Sequence, residues 1–348
     1  MNGRNTAGWL KMGLLLTVLM IAEGLMAQGL RLPEEDNTEL AKDQCIFCKP
    51  GVIRKSKSKG VEIAWTPSLS RKVVPNDAYT VSNSRLNRLD EFKFKFKIPL
   101  ANAESFKALV GFEHGWDTFR FDEIGNSRTD FFLQLDGQKL KYNKFSAYFT
   151  KSFDHKYYAI VRLRASYHGD YEDFVNIERR YSNYSAMGLF GVKPREELEY
   201  GFGISYSNGF GRVRILPFAV YNRTFNEKWG IETLLPVQIF GRYNASPETI
   251  LLFGAEFTSR RYSIDMYDAI KELNNELQIR NAGINVVGSL ERKLFSWIWL
   301  NAKAGYHIPF STQIEDVASP AQSFTFRQGT FPFFKLGIFV TPDKAFIK

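Results

Sequence analysis

Two cysteines, four histidines and a series of alternating lysines and arginines are the side chains of this sequence with the means to do chemistry. Cys45 and Cys48 stand as Cys-x-x-Cys. In an oxidising compartment, with no other thiol in the chain, a local disulfide is the leading expectation. A catalytic redox pair would need a βαβ unit around it. A metal site would need further ligands, and no second cysteine pair or nearby histidine supplies them. Free or intermolecular thiols stay open. Residue 49 is lysine, so the haem-attachment signature Cys-x-x-Cys-His is absent.

His114, His155, His168 and His307 are scattered, each on or beside an expected strand. A Ser–His lipid enzyme would need one of them beside a serine or aspartate. His307 is the best placed by pattern, since it shares a polar face with Asn301 and Lys303. Without a partner it reads as a polar wall residue, and no catalytic role is assigned.

The basic residues form the one collective feature. Lys93, Lys95, Lys97, Arg162, Arg164, Arg212, Arg214 and Lys303 all alternate with apolar neighbours. If these faces point into a lumen, that lumen is cationic and favours anions. The competing reading is that Glu113, Glu199, Glu232 and Glu256 pair with them and fill a closed barrel.

The elements that must position these residues are strands. From residue 61 onward the pattern has period two, as in sheets with two different faces. In Glu91–Leu100, Phe92, Phe94, Phe96 and Ile98 oppose Lys93, Lys95 and Lys97. In Leu198–Ser207, five bulky residues oppose Glu199, Gly201, Gly203, Ser205 and Ser207. Such a small and polar face makes a poor protein core but a suitable wall for a polar lumen. Ile298–Ile308 repeats the pattern. Further strands are expected near 61–69, 104–115, 129–136, 141–153, 156–168, 184–192, 211–224, 229–243, 248–263, 277–292 and 330–341. Many exceed the roughly 9–11 residues a tilted strand needs to cross a bilayer.

Short reversals are expected at Asp154-His155, Asn208-Gly209, Asn226-Glu227, Ser246-Pro247-Glu248 and Arg292-Lys293. Sequential hairpins without crossovers imply an antiparallel up-and-down sheet. A short loop helix is expected within Tyr267–Leu277, where Ile270, Leu273 and Leu277 fall at helical spacing.

Composition agrees with a barrel. Aromatic residues reach 15%, mean hydropathy is slightly negative at −0.26, and no stretch beyond the N-terminus approaches the length of a membrane helix. A soluble β-sandwich also alternates. Strand length, aromatic content and the lack of any linker after residue 60 favour the membrane. Residues 1–27 read as a cleaved signal peptide, with Arg4 and Lys11 before the apolar run Met12–Ala22 and Ala27 at the cleavage site. Residues 28–60 read as a periplasmic linker ending in the solvated basic run Arg54–Gly60, and residues 61–348 as the barrel.

The stretch Pro217–Asn222 through Trp229–Pro236, followed by Ser246-Pro247-Glu248-Thr249, resembles a Bacteroidota family of outer-membrane β-barrels without assigned function. The resemblance would span about residues 60–341. The chain ends Ala345-Phe346-Ile347-Lys348 and so departs from the aromatic terminus common in outer-membrane barrels.

The expectation is therefore an all-β, antiparallel up-and-down transmembrane β-barrel of 12 strands, with 14 as the alternative. The even count keeps both ends of the sheet on one side. Twelve is preferred because 61–69, which contains Pro67, and 184–192 are set aside as too short. The expected location is the bacterial outer membrane. The expected partners are its lipids and the barrel-assembly machinery, with no nucleic acid and no cofactor. The leading function is a porin-like or transport channel for small polar, perhaps anionic, solutes. A structural or secretion-accessory barrel and a lipid-modifying enzyme are the alternatives.

Overall fold

The computed structural model describes residues 50–75, 84–122, 131–172, 178–209, 212–268, 273–310, 312–317 and 324–341. Residues 1–49 lie outside the described residues, and with them the signal peptide, most of the expected linker and the Cys45–Cys48 pair.

Fourteen strands close into one antiparallel ring. They are β1 (Val61–Ser68), β3 (Ser84–Asn102), β4 (Phe106–Asp122), β5 (Lys139–Ser152), β6 (Tyr157–Gly169), β7 (Ser182–Arg195), β8 (Leu198–Gly209), β9 (Arg212–Thr224), β10 (Trp229–Leu235), β11 (Gln238–Ser246), β12 (Thr249–Asp268), β13 (Leu273–Lys293), β14 (Ile298–Pro309) and β17 (Phe331–Val340). The ring closes where β17 pairs with β14 on one edge and with β1 on the other, and β1 pairs with β3. Closure gives every strand of the ring a paired neighbour on each side over at least part of its length. Three short strands, β2 (Arg71–Pro75), β15 (Thr312–Asp316) and β16 (Phe324–Gln328), extend the sheet at one end.

The observed count is 14, not the preferred 12. Both segments set aside belong to the wall. The 184–192 stretch lies in β7, a full 14-residue strand. Residues 61–68 form β1. Pro67 is tolerated there because the ladder to β17 runs from Trp65 directly to Ser68, while the ladder to β3 is continuous. Two other expectations fail and compensate. Residues 131–135 form a short helix, α1 (Phe131–Leu135), instead of a strand. The 229–243 stretch is not one strand but the hairpin β10–β11, reversing at Pro236-Val237 after a cis Leu235-Pro236 bond.

The reversals at Asp154-His155, Asn226-Glu227 and Pro247-Glu248 occur as expected. The other two move. Asn208-Gly209 stays in β8, with Gly209 opposite Arg212. Arg292 and Lys293 stay in β13, opposite Thr249 and Trp299. In both places continued ladder pairing outweighs local turn chemistry. The flanks of the expected 267–277 helix are also strand, for β12 and β13 pair from Thr249–Arg292 out to Asp268–Leu273. Residues 269–272 lie outside the described set.

Alternation sets the two faces. On β8, Phe202 is 73% exposed on the outside while Glu199 is 2% exposed on the inside. Phe190, Ile215, Phe253, Phe334 and Ile338 continue an exposed apolar outer surface around the ring. Aromatic pairs reinforce it across strands, as where Phe92 stacks on Trp116 at 4.4 Å.

The two ends of the ring differ. One carries the short reversals. At the other, the wall narrows from fourteen strands to nine. There β2, β16 and β15 take over from β1, β17 and β14, and β6 meets β12 directly at Gly169 and Ser263. Gly169 is needed at this contact, because a Cβ would collide with the Ser263 carbonyl and the Tyr181 ring. The nine-stranded end encloses an apolar core of Val73, Leu86, Phe121, Phe132, Leu140, Ile264, Ile279 and Ile314, onto which α1 packs Phe131 and Leu135. Strands β7 to β11 take no part in this narrower ring.

Candidate functional site

At the short-reversal end, residues 50–60 do not trail into solvent but run against the inner wall. The Gly51 N–H donates to Glu199 at 2.6 Å, and the Ser56 N–H and hydroxyl donate to the two oxygens of Glu232 at 2.8 and 2.6 Å. The Lys57 N–H donates to Glu291, and Lys59 pairs with the same carboxylate at 3.4 Å. The ammonium groups of Lys57 and Lys59 lie over the rings of Trp299 and Phe339. Most of the basic run expected to be solvated is thus drawn inside by a row of inward glutamates, while Arg54 stays exposed and pairs with Glu227 at the rim.

Those glutamates are held by the wall. Glu199 accepts from Tyr158 and, at 2.5 Å, from Asn222. Glu232 accepts from Arg242 at 3.0 Å, and Arg242 also donates to Thr224 at 2.7 Å. Arg242 is fully buried. A buried charge survives only with such partners.

Between this segment and the apolar core lies a chamber of about 570 Å³, within the usual range of ligand sites. One side is charged. Lys93 and Lys335 each approach Glu62 to 3.0 Å, and Lys95 stands 3.9 Å away. Lys303 pairs with Glu256 at 2.9 Å. Arg260 reaches across to both Asp117 and Glu91. The other side is apolar, formed by Leu86, Leu89, Phe119, Phe121, Phe131 and Leu135. Among the described residues seven basic and four acidic side chains line the chamber, and Lys59 and Lys95 also face Glu291 and Glu113 outside that lining. The surplus is concentrated at Glu62, where three ammonium groups share one carboxylate that is 3% exposed.

The sequence-selected bases divide into groups. Lys93, Lys95 and Lys303 line the chamber. Lys97, Arg162 and Arg164 face the inner wall elsewhere. Lys97 lies over the Tyr148 ring, and Arg164 donates to Ser146 at 3.0 Å. Arg212 sits at the far end of β9, bonded to Glu315 at 2.9 Å, and Arg214 follows it on the same face. Of the expected acid partners, Glu256 takes Lys303, Glu113 takes Lys144 and Glu232 takes Arg242. Sequence reasoning missed Lys59, Glu62, Arg71, Glu91, Asp117, Arg260 and Lys335. For Lys335 a signal existed, since it alternates with Phe334, Leu336 and Ile338.

The histidines are not gathered. His307 faces inward with Nδ1 2.6 Å from the Asn285 side-chain oxygen, and His168 lies between the rings of Tyr142 and Tyr262. His114 is on the outer face beside Asn143, and His155 is in an exposed turn. Among the described residues no group of three or more His, Cys, Asp or Glu side chains could hold a metal ion.

The contact between β6 and β12 is pinned by a polar network at the nine-stranded end of the ring. Arg180 bonds Asp265 through two nitrogens and donates to the Tyr181 hydroxyl at 2.8 Å. Tyr181 donates to Asp170 at 3.0 Å, and Asp170 accepts the Asp265 N–H at 2.8 Å. The Asp265 hydrogen bonds hold the Arg180 guanidinium above its ordinary pKa, while burial, reinforced by Asp170, pushes the Tyr181 hydroxyl up.

Comparison with solved structures finds distant likenesses to other barrels. A FadL homologue of Pseudomonas aeruginosa is 8% identical, with 82% of this chain and 90% of that one covered and a TM-score of 0.41. The Pseudomonas putida toluene transporter TodX is 7% identical, with 81% and 89% covered and a TM-score of 0.32. The outer-membrane protease OmpT of Escherichia coli is 9% identical, with 83% and 99% covered and a TM-score of 0.26. No curated protein matches the chain. Residues 127–328, which run from just before α1 to the end of β16 and so cover more than half of the sequence, match the model of a domain of unknown function, DUF6268, and the chain belongs to that family.

Proposed function

We propose that this protein is an integral barrel of the bacterial outer membrane that takes small anionic solutes into its internal chamber. The observation that carries the reading is the lysine surplus around Glu62 inside a closed wall. Cations taken out of water need counter-charge, and here the wall supplies less than they require. The exposed apolar outer surface favours the membrane setting, since an aqueous barrel would expose there what lipid covers. The Bacteroidota origin and the cleaved signal peptide belong to the same proposal.

The occupied short-reversal end favours a gated carrier over a constitutively open porin. Planar-bilayer recording of the full chain tests this reading. The expected record is a mostly closed barrel whose openings prefer chloride to potassium. A cation preference overturns the anionic cargo. Electrical silence, together with no retention of inorganic phosphate in equilibrium dialysis, overturns the transport reading in favour of a structural or accessory barrel.

A further inference from the structure

Arg71 is a chamber cation that no carboxylate among the described residues pairs with. Glu62 is taken by the lysines, Glu256 by Lys303, and Glu91 and Asp117 by Arg260. Arg71 is 7% exposed, and a guanidinium so far out of water ordinarily keeps a carboxylate beside it. Here it meets neutral groups instead. Its Nε donates to the Gln328 side-chain oxygen at 2.6 Å, and its Nη1 to the Ser68 hydroxyl at 3.0 Å and the Leu69 carbonyl at 3.5 Å. The flat of the guanidinium lies over the Phe331 ring, 3.8 Å from its centre. Nη2 donates to nothing among the described residues, and Arg71 lines the chamber.

The fold sets this charge apart from the lysines. Arg71 opens β2, just after β1 ends at Ser68, where the ring passes from fourteen strands to nine. It stands against Phe331, the first residue of β17. Phe331, Phe333 and Lys335 alternate along β17 and all line the chamber. From Phe331 to Lys335 is about 13 Å of strand. Lys335 reaches away from Phe331, towards Glu62, whose ladder partner on β17 is Phe339. The chamber therefore holds two separate centres of positive charge, the lysines around Glu62 and Arg71 over Phe331.

We infer that the chamber takes an extended dianion, with one anionic end bound by Lys93, Lys95 and Lys335 and the other by Arg71. This rests on the anion-binding reading above and names its ligand class. A small monoanion compensates one centre and leaves the other buried without counter-charge, whereas a dianion of matching length compensates both. A charge-assisted contact takes up about 3 Å at each end, so the two anionic groups of the ligand stand on the order of 10 Å apart. Suberate, an α,ω-dicarboxylate, has a span of that order, and succinate falls well short of it.

The test uses the full chain in lipid nanodiscs, with fold verified by heat-modifiable gel migration and with acetate, octanoate, succinate and suberate as probes in equilibrium dialysis. Octanoate has the length of suberate and only one charge, so any gain from apolar contact favours octanoate. Suberate is expected to bind about tenfold or more tightly than either octanoate or succinate, the worth of one further charged contact. Arg71→Gln should bring suberate to within about twofold of octanoate and leave acetate unchanged, while Lys335→Gln should weaken both suberate and acetate. Acetate binding without a preference for suberate over octanoate overturns the dianion and leaves the anion chamber standing. Succinate binding as tightly as suberate overturns the bridging of two centres. A suberate preference that survives in folded Arg71→Gln overturns Arg71 as the second centre. If none of the four probes binds, the anion chamber itself falls.

Discussion

Ser56 gives both of its donors, the backbone N–H at 2.8 Å and the hydroxyl at 2.6 Å, to the two carboxylate oxygens of Glu232. A segment that precedes the barrel in sequence is thereby held inside it. Each hydrogen bond to a charged group contributes about 1.5–3 kcal/mol. Ser56→Pro removes both donors and leaves the Arg242–Glu232 pair intact. Single-channel recording is expected to register an open probability at least tenfold above wild type; an unchanged record would show that this segment does not hold the barrel shut.

The outer and inner faces of β8 should answer oppositely to charge. Ile204 is 61% exposed on the outer face, while Ser205 points inward. Arginine on the lipid face near mid-bilayer costs about 2–4 kcal/mol. Ile204→Arg should therefore lower the temperature at which the folded gel band is lost, and Ser205→Arg should lower it far less. Equal losses would contradict the assignment of faces.

Tyr158 is fully buried and donates to Glu199, and its ring lies over Gly191 of the neighbouring strand. A Cβ at residue 191 would collide with that ring. Gly191→Val is expected to displace Tyr158, strip Glu199 of one donor and destabilise the barrel by about 1–3 kcal/mol. Urea unfolding followed by tryptophan fluorescence measures it, and Gly188→Ala, where a Cβ meets nothing within 4 Å, is the control expected to be near neutral.

Asp154 shapes the β5–β6 reversal by accepting the N–H groups of Lys156 and Tyr157 at 2.7 and 2.8 Å. These bonds hold its carboxyl below the ordinary aspartate pKa. The contribution is therefore present above the unfolded-state value and is lost as pH falls through the lower folded-state value. Relative to the intrinsic exchange rate at each pH, the protection of the Lys156 and Tyr157 amides should fall at acid pH in the wild type. In Asp154→Ala the protection should already be lower at neutral pH and lack the acid-dependent step.

Much of the wall was legible in the sequence. Period-two alternation in Glu91–Leu100, Leu198–Ser207 and Ile298–Ile308 determined strands, their faces and an antiparallel order, because a strand puts successive side chains on opposite sides whatever its neighbours. The same rule put Lys93, Lys95 and Lys303 on the face opposite the bulky apolar residues, and left open which face points inward. The tertiary structure decided what alternation does not encode. The cationic surplus at Glu62 joins Lys93, Lys95 and Lys335, which come from β3 and β17 and meet only when the ring closes. The split of 229–243 into a short hairpin depended on a reversal at Pro236-Val237 inside an otherwise strand-like run. Residues 50–60 read as a soluble tail because their partners, Glu199, Glu232 and Glu291, lie on three distant strands. A charge declares its sign in the sequence, but its burial and its counter-charge are properties of the closed barrel.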